Sequence, residues 1–356
     1  MISLKIRKYI ANIHNFLAVF MFDHYYFVLF MPPSLDHIRS VVKEELNAFD
    51  QRFKSAMKSR VYLLDKISYY IVRTKGKQFR PLITILCAKL FGNVNEKSYN
   101  AAVLVELLHT ATLVHDDVVD EAHQRRGFFS INALWKNKIA VLVGDYLLSR
   151  GLLTALENKH FDLLELLSTS VKEMSEGELM QLEKSRKLDI SEADYFTIIS
   201  QKTASLICSA CTCGAISTMS PMNEKHLDLI KTFGTKLGIA FQIKDDLMDL
   251  SPDDTGKPKI HDIKEKKMTL PLISALSQAS SSLRKDIIGR IRKDSEDEQN
   301  IQVVLDFIRE YRGVEIASQK MNEYKDQCLE LLKELPQNSI NEALQELCYY
   351  VTVRTK

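Results

Sequence analysis

The chain of 356 residues carries a formal charge of only +2, with 46% apolar residues and just 12 Gly and 8 Pro. That balance excludes the strongly basic footprint of a nucleic-acid binder, supplies a substantial core, and favours long helices over a turn-rich β architecture. The length admits two domains, but one large helical domain fits it equally well. The six cysteines, Cys87, Cys208, Cys211, Cys213, Cys328 and Cys348, do not form the framework of a small secreted protein, so a reducing, cytoplasmic compartment is expected.

In chain order, the first segment is unusual. A basic start at Lys5, Arg7 and Lys8 leads into FLAVFMFDHYYFVLFM, Phe16–Met31. Asp23 and His24 interrupt this run, which is shorter than the ~20 residues of a spanning helix, and no small-residue cleavage site follows. Residues 1–30 are expected to be a start-site artefact, with translation beginning at Met31 and the working domain over 31–356.

From Leu35 onward apolar residues recur at helical spacing, with Leu35, Ile38, Val42 and Leu46 on one face of LDHIRSVVKEELNAFDQRF. Helices are predicted over Leu82–Phe91, Tyr99–Ala122, Ile139–Leu156, Phe161–Lys184, Tyr195–Ile216 and Leu227–Leu250. Breaks fall at Val94–Lys97 and over Ser251–Met268, and Asp294–Asn300 reads as a charged surface connection. No alternating strand pattern of useful length competes, and no repeat of fixed period is present. The expected fold is a single all-α domain of many helices, some buried on most sides. Cys208, Cys211 and Cys213 lie in the apolar run SLICSACTCGAIS with no nearby His. They read as small buried residues of a packed helix rather than zinc ligands.

The chemistry is concentrated in aspartates. In HTATLVHDDVVDEAHQRRG, His109–Gly127, a helix places Asp116 and Asp120 on one face, one turn or about 5.4 Å apart, while Asp117 points about 100° away. Like charges at this spacing destabilise a helix, and the apolar sequence before them puts the pair near a core, where uncompensated charge is costly. A hard divalent cation removes that objection. Mg²⁺ takes few protein carboxylates and fills its shell with phosphate oxygens, and Arg125 and Arg126 suit a metal-bridged diphosphate. One such cluster fits a solvated acidic helix end with surface arginines just as well. A second, in FQIKDDLMDL at Phe241–Leu250, changes the balance. There Asp245 and Asp249 again share a face, with Gln242 one turn before Asp246. Two such helices facing each other would make a carboxylate-lined cavity for several Mg²⁺ ions. That cavity suits a substrate whose diphosphate sits at the rim and whose apolar tail runs between helices.

In combination and order these motifs resemble the trans-isoprenyl diphosphate synthases, or polyprenyl synthetases, from about Leu35 to the C-terminus. GKQFRP at Gly76–Pro81 is similar to the family's GGKRxRP. The first aspartate cluster with its arginine pair, GDYLLSRG at Gly144–Gly151, Lys202-Thr203, FQIKDDLMD, and GKPKIHDIKEKKMTLP at Gly256–Pro271 follow as later landmarks. The resemblance implies an all-α, single-domain bundle of the isoprenoid synthase type with a central apolar cavity. It implies that Lys77, Arg80, His109 and Arg126 hold the diphosphate of isopentenyl diphosphate. The metal-binding set it implies is Asp116, Asp117 and Asp120 with Asp245, Asp246 and Asp249. Within it, Asp116 and Asp120 would ligate two Mg²⁺ ions and Asp245 a third, with Asp249 nearby. Arg125, Lys202 and Lys257 would grip the allylic diphosphate, and Thr203 and Gln242 would line the place where the allylic cation forms. A homodimer is expected, as is weak membrane association through a greasy product. This chain departs from the pattern at Lys75, in place of the first Gly of the basic motif, and at Gln78, in place of an Arg. Lys266 stands where a Gly usually precedes Lys267.

Short-chain members of this family often carry an aromatic residue five positions before the first Asp. Here that position is Ala111, beside Thr112, with Leu108 and then Val105 and Leu104 as deeper floors. The expected product is therefore long, hexaprenyl to octaprenyl, as in quinone side chains. The alternatives are a shorter-chain farnesyl or geranylgeranyl diphosphate synthase, a class I terpene cyclase, and a non-catalytic partner subunit. The last would have lost motifs that are intact here. His115 reads as a packed structural residue and His261 as a loop residue; VTVRTK could bring Arg354 toward the mouth of the site, but a frayed basic tail is the expectation taken for it.

Overall fold

The structure is a computed structural model that describes residues 34–125, 127–251 and 260–355. The N-terminal extension, Arg126 and Lys257 lie outside the described residues, and so do the expectations placed on them. The core is built from α1 (Phe79–Phe91), α2 (Glu96–Val119), α3 (Asn137–Glu157), α4 (Phe161–Lys187), α5 (Ser205–Thr218), α6 (Glu224–Asp249), α7 (Gly313–Lys333) and α8 (Ser339–Val353). α5 lies at the centre and packs on α1, α2, α4 and α6. It is buried almost all round, including Cys211 and Cys213, which is why no charged residue interrupts its sequence. All six cysteines are free thiols, and Cys211 and Cys213 sit in the core as expected of packed small residues.

α2 begins with a capping box. Asn95 accepts from the Ser98 amide at 3.1 Å, and Ser98 accepts from the Asn95 amide at 3.2 Å. Two orphan donors are thus satisfied at the break predicted at Val94–Lys97. Along its length α2 packs on α3. A Cβ on Gly144 of α3 would come within 2.1 Å of His115 Nε2. The glycine therefore lets the imidazole lie across α3, where Nε2 stands 3.2 Å from the Val141 carbonyl oxygen. His115 is the structural residue expected.

Three departures from the predicted elements have local causes. The stretch Leu35–Phe53 is two helices, Leu35–Ser40 and Lys43–Ala56, because Val42 leaves the helical region at φ −129, ψ 31. Tyr195–Ile216 is not one regular helix either. Helix Glu192–Ile199 runs into a single π-helical turn, Ser200–Ala204, before α5. Such turns admit an extra residue and re-aim side chains. Gly177 of α4 makes room for it, since a Cβ there would come within 2.9 Å of both Gln201 Cβ and the Lys202 amide nitrogen. Between α2 and α3 the chain also forms a short hairpin, Gln124–Arg125 paired with Phe128–Phe129 around Gly127 at φ 79. It is too short to show an alternating pattern.

Candidate active site

Both aspartate clusters close their helices. Asp120 is the C-cap of α2 and Asp249 is the last residue of α6, and neither helix has a basic residue in its final turn. A helix carries partial negative charge at this end, so carboxylates here repel the dipole as well as one another. Neither cluster is compensated within the last turn of its own helix, so the compensating groups must come from elsewhere.

The first cluster splits by direction. Asp117 is 3% exposed and bonded to Arg125, Nε at 2.7 Å and Nη2 at 2.6 Å from Oδ1. Asn132 donates to the Asp117 carbonyl at 3.0 Å, so this residue anchors the hairpin. Asp116 and Asp120 make no side-chain hydrogen bond or ion pair among the described residues. Burial pushes the Asp116 carboxyl up to about 6, Glu178 and Asp120 add to the rise, and Lys202 and Arg125 oppose it.

The second cluster is held by the protein at every position. Asp246 is 4% exposed. It accepts from Tyr195 Oη at 2.7 Å and from Gln242 Nε2 at 3.0 Å. Burial still raises it to about 6, against the pull of those two bonds. Asp245 accepts from Arg354 Nη2 at 2.7 Å. Burial raises its carboxyl above the ordinary range, opposed by Arg354, Arg80 and Lys244. Asp249 accepts from the amides of His261 at 3.1 Å and Asp262 at 3.0 Å, which pins the short helix His261–Lys264 to the end of α6. Asp262 is itself pushed up to about 7, by burial first and then by Asp246 and Asp249.

Cationic and polar groups face these carboxylates from α4, the π turn and the loop before helix Leu270–Gln278. Lys202 is ion-paired with Glu178 and donates to Gln181 Oε1 at 3.4 Å. Its neighbour Thr203 donates to Gln242 Oε1 at 2.8 Å. The π turn is what sends these adjacent residues to α4 and α6 respectively. Burial works to lower the Lys267 ammonium, yet Glu265, Asp120 and Asp262 together hold it above its usual value.

Beside the carboxylates, a cavity of about 290 Å³ is lined by Lys77, Arg80, His109, Phe241, Tyr350 and Arg354, among others. Arg80 Nη1 donates to His109 Nε2 at 2.9 Å, and Lys77 Nζ donates to Tyr350 Oη at 2.8 Å. Lys77, Arg80 and His109, expected to act together from motifs far apart in sequence, do meet here. Arg354 corrects the expectation of a frayed tail. α8 carries it inward, its guanidinium stacks 3.9 Å from the Phe241 ring centroid, and it bonds both the Phe241 carbonyl and Asp245. The tail is ordered because stacking and an ion pair hold it.

Tyr195, Glu178, Asp262 and Tyr350 carry no motif and are not found by motif reading. Tyr195 had one signal, its place two turns before Lys202, and Glu178 and Gln181 lie one turn apart on α4. Ala111 and Leu108 are buried at 2% and 1% exposure on α2, and Thr112 Oγ1 donates to the His109 carbonyl.

The polyprenyl synthetase family model matches residues 61–308, and the chain belongs to that family. It is 32% identical to the octaprenyl diphosphate synthase of Escherichia coli K12, over 91% of this chain and all of that one. It is 31% identical to the geranylgeranyl diphosphate synthase of Saccharolobus solfataricus, over 91% of this chain and all of that one. Among solved structures, the polyprenyl synthase of Caulobacter crescentus CB15, complexed with calcium and isoprenyl diphosphate, superposes with a TM-score of 0.83 at 30% identity, covering 92% of this chain and 99% of that one. The chain is accordingly a prenyl diphosphate synthase, a transferase of prenyl groups with the all-α fold of its relatives.

Proposed function

We propose that this synthase lengthens an allylic diphosphate, such as farnesyl diphosphate, with successive isopentenyl diphosphate units to an all-trans product of hexaprenyl to octaprenyl length for quinone side chains. One observation carries the reading. Lys202 and Thr203 of the π turn link the two carboxylate-rich helix ends, Lys202 acting on Asp116 and Thr203 bonding Gln242, and Arg354, which bonds Asp245, also lines a separate cavity with Lys77, Arg80 and His109. Two sites of diphosphate chemistry mean condensation of two diphosphates rather than ionisation of one.

The metal we assign is Mg²⁺, about three ions per site. The donors fit it. Among the described residues no three carboxylate, imidazole or thiol groups converge into a cage, and Mg²⁺ needs only one or two carboxylates plus phosphate oxygens. Asp116, Asp120 and Asp245 would hold it, with Asp249 near, while Asp117 and Asp246 brace the helix ends from inside. When bound, it would act as a Lewis acid on the departing diphosphate. Lys202, with Arg125 and Lys257, would bind that diphosphate as its allylic C–O bond breaks. Thr203 and Gln242 would present oxygen dipoles to the developing cation. Lys77, Arg80, His109 and Arg126 would hold isopentenyl diphosphate so that its alkene attacks the cation. A carbon–carbon bond forms, a proton passes to the released diphosphate, and closure against water protects the cation.

Product length rests on small Ala111, with Leu108 as the next floor. A homodimer belongs to the same proposal. α3 is long and apolar enough to cross a membrane by composition, yet it lies along α2 and leaves Leu142 56%, Leu153 44% and Leu156 45% exposed. Phe128 and Phe129 of the hairpin are exposed as well, and apolar side chains left open in this way suit burial against a second copy. Free thiols accord with a cytoplasmic setting, and weak membrane association would come through the product.

Purified protein with Mg²⁺, farnesyl diphosphate and labelled isopentenyl diphosphate tests the reading, with chromatography of the products and sedimentation for the dimer. Short products would replace the length assignment by the farnesyl or geranylgeranyl alternative. Products from the allylic diphosphate alone would indicate a cyclase, and no product under any metal condition a partner subunit.

A further inference from the structure

The two departures from the family pattern in the basic loop, Lys75 and Gln78, end on one carboxylate. Asp50, on helix Lys43–Ala56, lies 2.7 Å from Lys75 Nζ through both Oδ1 and Oδ2, and Gln78 Nε2 donates to its Oδ1 at 3.0 Å. Between these two side chains sits Lys77. Its carbonyl accepts from Arg39 Nη1 at 2.7 Å, and its Nζ donates into the cavity toward Tyr350 Oη. Gln78 is only 6% exposed and adopts φ 50, ψ 47, a left-handed conformation that a side chain disfavours. Arg80 follows in the first turn of α1. Asp50 is not among the residues that line the cavity.

A Gly-Gly opening reaches a tight loop through its own conformational freedom. Here Lys75 takes the place of the first of those glycines while Gly76 is kept, and the left-handed residue of the loop is Gln78, whose strained conformation something outside the loop must hold. We propose that Asp50 is a positioning residue for isopentenyl diphosphate: by clamping Lys75 and Gln78 on either side of Lys77, it fixes the loop that presents Lys77 and Arg80. This rests on the assignment of the adjacent cavity to isopentenyl diphosphate. Asp50 touches neither substrate and acts on binding rather than on chemistry. Its loss therefore raises KM for isopentenyl diphosphate and spares kcat.

The experiment is steady-state kinetics with Mg²⁺ and farnesyl diphosphate on Asp50→Asn, Lys75→Ala, the double variant and Asp50→Glu, with Lys77→Ala as control. Each single change at 50 or 75 is expected to raise KM for isopentenyl diphosphate by about tenfold, with kcat within about twofold and KM for farnesyl diphosphate unchanged. The double variant should be no worse than either single, because both remove one clamp, and Asp50→Glu should recover most of the affinity. An unchanged KM in Asp50→Asn while Lys77→Ala raises it would overturn the role of Asp50. So would a double variant whose losses multiply, or a fall in kcat and Tm that accompanies any change in KM. If Lys77→Ala itself leaves KM unchanged, the cavity assignment fails instead. Should Asp50→Asn not fold, Lys75→Ala with calorimetric binding of isopentenyl diphosphate decides the matter by the same criteria.

Discussion

The ends of α2 and α6 carry the same five-residue pattern and are held in opposite ways. On α2 the inner aspartate, Asp117, is tied to Arg125, while Asp116 and Asp120 accept no side-chain bond among the described residues. On α6 all three carboxylates are occupied: Asp246 by Tyr195 and Gln242, Asp245 by Arg354, Asp249 by two backbone amides. In both, the second aspartate of the pair faces inward and braces the helix end. The difference lies in the outer residues. The first end waits for cations, whereas the second already spends its outer carboxylates on the loop at Ile260–Asp262 and on the C-terminal tail. An identical motif thus leaves its outer carboxylates without side-chain partners among the described residues on one helix and ties them to a loop and the C-terminal tail on the other.

The largest effect that would break this contrast is at Asp116. Asp116→Asn should lower kcat by at least about 10³-fold, since transition-state charge loses a metal anchor. Its effect on the metal-free protein has the opposite sign. The folded carboxyl is raised to about 6, so the folded state binds the proton more tightly than the unfolded chain does. That contribution to stability is complete below the ordinary carboxylate range and is lost as pH rises through about 6. In EDTA at pH 7.5 the variant should therefore be more stable than the parent, by about 1 kcal/mol after discounting for partial solvent access, and near pH 4 the two should coincide. Thermal melts at both pH values check this. A variant equally destabilised at both would show that Asp116 is structural, like Asp117.

Tyr195 tests the other end. Tyr195→Phe removes one donor from Asp246, a buried carboxylate, and should cost about 1–3 kcal/mol of stability. Because Asp246 orients Gln242, and Gln242 meets Thr203, kcat should also fall by about tenfold with little change in either KM. Arg354→Ala probes the occupied outer carboxylate. Freed of its guanidinium, Asp245 should bind Mg²⁺ more readily, lowering the half-saturating Mg²⁺ concentration by about threefold. KM for isopentenyl diphosphate should rise, because Arg354 also lines that cavity. A Mg²⁺ requirement that did not move would mean the ion pair and the metal use different oxygens.

How much of this was legible in the sequence follows from range. Helical periodicity and the Asp116 and Asp245 clusters are local patterns, and they located α2, α6 and the demand for metal. The π turn at Ser200–Ala204 is invisible to a 3.6-residue period, although it decides where Lys202 and Thr203 point. Arg354 reaches Asp245 across 109 positions, and no spacing rule within the C-terminal segment announces that contact. The departures at Lys75 and Gln78 were visible as oddities, but their common partner, Asp50, is on a separate helix and carries no motif. Ordinary side chains that act by bracing others leave no local signature.

Small residues on the two helices extend the same contrast to product length. On α6, smallness serves packing. A Cβ on Gly238 would come within 2.5 Å of Ala204 Cα, at the junction of the π turn with α5. Gly238→Ala should therefore shift the π turn, cost about 1–3 kcal/mol as overpacking does, and change rate and stability together without a selective change in product. On α2, Ala111 is proposed to leave room for the growing chain. Ala111→Phe also adds bulk at a site 2% exposed, but if the space below it is substrate space, the ring fills a channel rather than a packed interface. The expected result is a stability loss of under about 1 kcal/mol, a rate for the first condensation within about threefold, and a product shortened by several isoprene units. Chromatography of dephosphorylated products and thermal melts of the two variants separate the cases. If Ala111→Phe behaves like Gly238→Ala, destabilised with product length intact, then α2 at this position is core like α6, and the floor of the channel lies elsewhere.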